Sequence, residues 1–181
     1  MTVPSPERAV PAIADTLPAI RRLLAAYGAT RYTVRLPDGD AALTVGARPS
    51  RPLAAWTLPD RPWVLITACN PHSQPRSDRS NALRMRALTR ALAAVDPLGV
   101  FDAAGYAPDR RWVEPSLLVI GLDPAITDAL ARRFDQNALL TGHGVVPARL
   151  RLYRMDWAAA LGRVDTAGCE WAEWALESAR A

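Results

Sequence analysis

Six consecutive residues, Trp63-Val64-Leu65-Ile66-Thr67-Ala68, carry no charge and end abruptly in the polar stretch Cys69-Asn70-Pro71-His72-Ser73-Gln74-Pro75-Arg76. A short apolar run bounded by turn residues is the signature of a strand covered on both faces, which requires helices or further layers on either side of a sheet. Ser77 follows as a helix N-cap, and Asn81, Met85, Leu88, Leu92 and Val95 then recur at helical spacing. Arg79, Arg86 and Arg90 fall on a different stripe of the same helix. The unit is therefore strand, polar loop, helix, and the loop is delivered to a helix N-terminus.

The flanking segments supply the remaining elements. Leu17, Ile20, Leu23, Leu24 and Tyr27 predict an amphipathic helix over 15–27, stopped by Gly28. Arg31 to Leu36 and Ala41 to Val45, separated by Pro37-Asp38-Gly39-Asp40, predict a hairpin. The Pro- and Arg-rich segment 47–62 predicts an irregular connection. Beyond the central helix, strands are expected up to Tyr106 and from Trp112 to Gly121, with a turn at Ala107-Pro108-Asp109. Asp123-Pro124 caps a further helix carrying Ile126, Leu130 and Phe134 inward. Two closing strands, 136–140 and 149–153, are expected about a Gly142-His143-Gly144 bend, and a helical tail bearing Trp157, Trp171 and Trp174 over about 156–180. The fold class predicted is α+β: a βαββαβ, ferredoxin-like core with an N-terminal helix and hairpin and a C-terminal helical tail. The whole chain, 1–181, is expected to form a single domain.

Composition excludes several classes. Half the residues are hydrophobic and 22% are charged, a globular composition and not a disordered one. All 22 basic residues are Arg, and the net charge of +4 is modest, so charge alone does not require a nucleic-acid partner. Cys69 and Cys169 match no disulfide framework or paired metal-ligand spacing. No apolar run approaches the roughly 18 residues of a membrane helix, and residues 1–12 lack the order of a secretory signal. The expected setting is cytoplasmic, with no membrane association and no metal.

Chemistry is expected where the uncharged polar residues converge. The helix end after the loop exposes backbone N–H groups, and Arg76 and Arg79 stand there as candidate anion-binding residues. Thr67, Asn70 and Ser73 come from the strand exit and the loop. Asn81 lies on the inner stripe, where a buried amide needs partners; it either pins the loop or meets a ligand. Glu114 enters a core strand behind Arg110 and Arg111, which makes it either half of an ion pair or a candidate general base. Ser116 follows it. Gln136 and Asn137 lie between a helix and a strand, where Asn137 also suits a left-handed helix cap. Cys69 and His72 have a Cys-x-x-His spacing, too little for zinc but compatible with a nucleophile pair.

The ordered series Thr67-Ala68-x-Asn70-Pro71-x-Ser73, Asn81, Glu114-Pro115-Ser116-Leu117-Leu118-Val119 and Phe134-x-Gln136-Asn137-Ala138 resembles the bacterial domain-of-unknown-function family numbered 3293. The resemblance covers roughly 32–153, within an expected core of about 30–154. It implies that Asn70, Ser73, Asn81, Glu114, Ser116, Gln136 and Asn137 occupy the family's motif positions. It implies no reaction, and it leaves the cofactor unknown. The expected function is binding of a small polar or phosphorylated ligand in a strand-loop-helix cleft lined by Thr67, Asn70, Ser73, Asn81, Glu114, Ser116, Gln136 and Asn137. The alternative is a nucleic-acid or protein interaction module on the face bearing Arg76, Arg79, Arg86 and Arg90, or a dimer contact through the tail tryptophans.

Overall fold

A computed structural model describes residues 16–57, 61–154 and 156–157, and the backbone of 172–174. The elements are α1 (Leu17–Ala29), β1 (Arg31–Leu36), β2 (Gly39–Leu43), α2 (Arg51–Trp56), β3 (Pro62–Ile66), α3 (Asp78–Ala93), β4 (Gly99–Tyr106), β5 (Val113–Ile120), α4 (Pro124–Arg133), β6 (Ala138–His143), β7 (Arg149–Leu152) and β8 (Ala172–Trp174). The chain is α+β. Its strands form one sheet in the order β2-β1-β4-β5-β3-β6-β7-β8, antiparallel at every pairing. The N-terminal hairpin extends the sheet by pairing β1 with β4. No helix among the described residues is long and apolar enough to cross a membrane.

β3 explains the two-sided burial that its composition demands. Side chains alternate across a strand, so Trp63 and Leu65 enter one apolar core with Ile20, Leu24, Leu118, Leu140 and Leu150. Val64 and Ile66 enter another, with Leu88 and Leu92 of α3 and Leu130 and Phe134 beside α4. Residues Leu118 and Leu117 of β5 split in the same way. The sheet thus carries α3 and α4 on one face and α1 on the other. Both helices on the first face start on their expected caps: Ser77 Oγ accepts from the Ser80 N–H at 3.3 Å, and Asp123 Oδ1 accepts from the Ala125 N–H at 2.7 Å.

Several boundaries differ from expectation. α1 runs through Gly28 to Ala29, because the apolar stripe and the Thr30 cap outweigh the weak helix propensity of one glycine. The segment expected to be irregular contains α2, a helix too short to show a period, whose proline lies in the first turn, where no N–H is needed. Leu53 is fully buried from it, and Trp56 meets Phe101 edge-on at 4.9 Å. β6 continues through Gly142 and His143, so the bend lies after them. The expected helical tail begins as helix at Asp156 and Trp157, but Ala172–Trp174 is a strand that pairs with β7, covering backbone that would otherwise form a sheet edge. Trp157 is fully buried in the core, which removes it from any dimer contact. The other tail residues in that expectation, Trp171 among them, lie outside the described residues, as does the Trp174 side chain.

Gly142 is required by contact rather than by backbone angle. A Cβ there would lie 2.4 Å from Cζ2 of the buried Trp63 ring, which has no free end to swing aside. Gly142→Ala is expected to cost about 1–3 kcal/mol, the usual range for overpacking, in denaturant melts. An unchanged midpoint would show that the ring can move.

Candidate functional site

The end of β3 lies against β5, and the loop that leads from β3 to α3 is built from side-chain hydrogen bonds. Thr67 Oγ1 donates to the Pro115 carbonyl at 2.8 Å and accepts from the Cys69 N–H at 3.0 Å. Asn70, His72 and Ser73 all have positive φ, at 47°, 54° and 57°. Asn tolerates this region; His and Ser hold it only when the surroundings impose it. The imposing contacts centre on Asn70 and Asn81. Asn81 Oδ1 accepts from the Asn70 N–H at 3.0 Å, and Asn81 Nδ2 donates to Asn70 Oδ1 at 3.0 Å and to the Arg76 carbonyl at 3.4 Å. Asn70 Oδ1 also accepts from the Arg76 N–H at 2.9 Å. Its Nδ2 is left to donate to Glu114 Oε2 at 2.6 Å.

A second set of bonds fastens the loop to the segment after α4. The Ser73 hydroxyl lies 2.6 Å from the Tyr27 hydroxyl of α1 and accepts from Asn137 Nδ2 at 2.9 Å. Gln136 Nε2 donates to the carbonyls of Cys69 at 3.2 Å and Phe134 at 3.1 Å. Arg84 donates to the carbonyls of Ala68 and Phe134, each at 2.7 Å, and pairs with Asp135 at 3.4 Å. Arg84 was not among the expected residues. Its signal was an arginine on the inner stripe of α3, between Asn81 and Leu88. The left-handed residue after α4 is Asp135, with φ 56°, and not Asn137, which is buried and spends its amide on Ser73.

These groups border a cavity of about 330 Å³ between α1 and the sheet. Thr67, Asn70, Ser73, Glu114, Ser116 and Gln136 supply its polar wall. Leu65, Leu140, Tyr27, Tyr32 and Trp112 supply much of the apolar one. Asn81 and Asn137 do not line it; each holds a residue that does. Arg76 and Arg79 are exposed and do not line it. A sequence neighbour of the loop can leave the site once the helix starts, and the expected anion pair is not assembled at the cavity. The aromatic wall was missed because Tyr27 and Tyr32 come from elements that meet β3 only in the folded sheet.

Glu114 forms no ion pair with Arg110 or Arg111, which are exposed on the β4–β5 turn; Arg111 instead lies 3.9 Å from Asp109. Its one hydrogen-bond partner among the described residues is Asn70. Burial raises its carboxyl from the ordinary 4.5 to about 7, against the opposing effect of the Asn70 bond. The nearby Tyr32 phenol is raised too, first by burial and then by Tyr27 and Glu114.

Other candidates take less defined places. The Cys69 thiol is buried and raised by that burial, which opposes thiolate formation, while the His72 ring is half exposed and lies 3.9 Å from Asp135. No group of three or more His, Cys, Asp or Glu among the described residues could hold a metal ion. Arg86 and Arg90 border a shallow groove that also holds Asp102, so this face is mixed in charge.

No curated protein matches the chain, and no solved structure matches it. The family model described as a protein of unknown function, DUF3293, matches residues 66–139. The resemblance read from the motifs therefore holds: this chain matches DUF3293 across the segment that contributes Thr67, Asn70, Ser73, Glu114, Ser116 and Gln136 to the cavity.

Proposed function

We propose that the protein binds a small molecule in this cavity, with an apolar body against the Leu65 and aromatic wall and a polar end at Glu114 and Gln136. The observation that carries this reading is the Asn70–Glu114 pair at the edge of a mostly apolar hollow: a carboxyl held away from water, with no cation beside it among the described residues, is costly unless a ligand uses it. The cavity volume lies at the lower end of the range for small-molecule sites. A phosphorylated ligand fits less well than an uncharged or cationic one, because the wall includes an acid and no Arg. Glu114 could exchange a proton near neutral pH, yet a base alone does not make a catalytic constellation, so binding is the reading offered. The strand order β4-β5-β3-β6, with α3 and α4 on one face, supports a ferredoxin-like unit as the scaffold.

Ala138 lines the cavity from β6, and Ala138→Phe would place a ring in it. Ligand-observed NMR of a fragment library is expected to give hits on the wild-type protein that disappear with the variant. Equal hits on both proteins, with the fold of the variant intact, would remove the cavity from consideration.

A further inference from the structure

We propose that the cavity takes a small organic amine, its ammonium group on the Glu114 carboxylate and its apolar body against Leu65, Leu140 and the rings of Tyr27, Tyr32 and Trp112. This rests on the binding reading above and names the ligand's chemical class.

At the polar end of the cavity, many of the donors are already committed within the protein. One N–H of the Asn70 amide is committed to Glu114 Oε2, and its oxygen accepts from Arg76 and Asn81. The Gln136 amide nitrogen is spent on the Cys69 and Phe134 carbonyls. Ser116 Oγ donates to the Glu114 carbonyl at 3.3 Å, and Thr67 Oγ1 to that of Pro115. Acceptor capacity therefore remains at this end of the cavity: Glu114 Oε1 and Gln136 Oε1 accept no hydrogen bond from the described residues. A group that brings several N–H donors and a positive charge satisfies both oxygens. An ammonium does so; a carboxylate or phosphate brings more acceptors and a like charge.

Electrostatics point the same way. Glu114 is the carboxylate of the cavity wall, and no Arg lines that wall to balance it. Aromatic faces attract cations within a few ångströms, and Tyr27, Tyr32 and Trp112 border the same space. The other titratable groups facing Glu114 are Tyr27 on α1, Tyr32 on β1 and Cys69 in the loop. Burial raises both Tyr32 and Cys69, groups that already ionise above neutrality, so neither competes between about pH 6 and about pH 8. Arg84, which donates to the Ala68 carbonyl beside Cys69, does not line the cavity.

The experiment uses matched probes on one body: phenethylamine, 2-phenylethanol and phenylacetate, with hexylamine, 1-hexanol and hexanoate as a second set. Calorimetry on the full chain is expected to show each amine binding at least about tenfold more tightly than its alcohol, with the carboxylate weakest. Amine affinity should rise about tenfold from about pH 6 to about pH 8 as Glu114 ionises, with alcohol affinity unchanged. Glu114→Gln should bring amine and alcohol to within about twofold of each other. Should that variant fail to fold, the wild-type pH profile still decides. Alcohols that equal amines, or amine binding indifferent to pH, would overturn the amine assignment. If those alcohols are also displaced by Ala138→Phe, the cavity reading survives alone. Absence of binding by every probe in both sets would defeat both.

Discussion

Glu114→Gln is expected to make the protein more stable at about pH 8, by ~3 kcal/mol relative to its effect at about pH 4. In the unfolded chain this carboxyl ionises around 4.5, whereas in the fold it waits until about 7. Below 4.5 it is neutral in both states and costs nothing. As pH rises from 4.5 toward 7 the unfolded state gains a solvated charge that the folded state resists, so stability is lost across that interval and stays lost above it. Glutamine is neutral at every pH and can still accept the Asn70 N–H. For a chain of this size the difference corresponds to a thermal midpoint higher by about 6–12 °C at about pH 8. Denaturant melts of both proteins across this range provide the check, and a difference that does not vary with pH would show that Glu114 is solvated.

Asp128→Ala is expected to cost about 3–5 kcal/mol, the range for removing one partner of a buried pair. Asp128 of α4 is 5% exposed and Arg151 of β7 is 8% exposed. The two meet in a bidentate arrangement with both N···O distances at 2.8 Å, and the Tyr153 hydroxyl donates to Asp128 Oδ1 at 2.8 Å. Removing the carboxylate leaves Arg151 without this partner in a dry setting and orphans the Tyr153 hydroxyl. The pair ties α4 to the sheet beyond β6. A loss below about 1 kcal/mol would place it among solvated surface pairs instead.

The parts of this fold visible in the sequence were those encoded locally. The run from Trp63 into the Asn70 loop and the Ser77 cap specified strand, loop and helix, because burial on both faces, turn chemistry and capping each leave a residue-level mark. Glu114 and Gln136 stood out as polar residues at the edges of apolar strands. Absent from any local pattern was the pairing across the sheet. Periodicity says that Tyr27 and Tyr32 face inward, but not that they face the end of β3, so the apolar half of the cavity stayed hidden. Arg76 and Arg79 lie outside the cavity for the converse reason: adjacency in sequence to a helix start says nothing about which way the first turn directs a long side chain. α2 and β8 escaped notice because elements of six and three residues are shorter than the periods used to find them.

Asn81 illustrates how a single position divides between the two kinds of information. Its place on the inner stripe of α3 announced a buried amide in need of partners, and the partners are the Asn70 amide group and the Arg76 carbonyl. Its effect on a ligand is therefore indirect: it fixes Asn70, and Asn70 addresses Glu114.

The titration of Glu114 itself, followed through its side-chain carboxyl resonance in ¹³C NMR, bears most directly on the site. A carboxyl held at the border of an apolar cavity, with Asn70 as its hydrogen-bond partner and no cation nearby among the described residues, is expected to show its midpoint at about 7. A midpoint at the ordinary 4.5 would mean that water reaches the group freely, and the cavity would then lack the polar end on which a ligand depends.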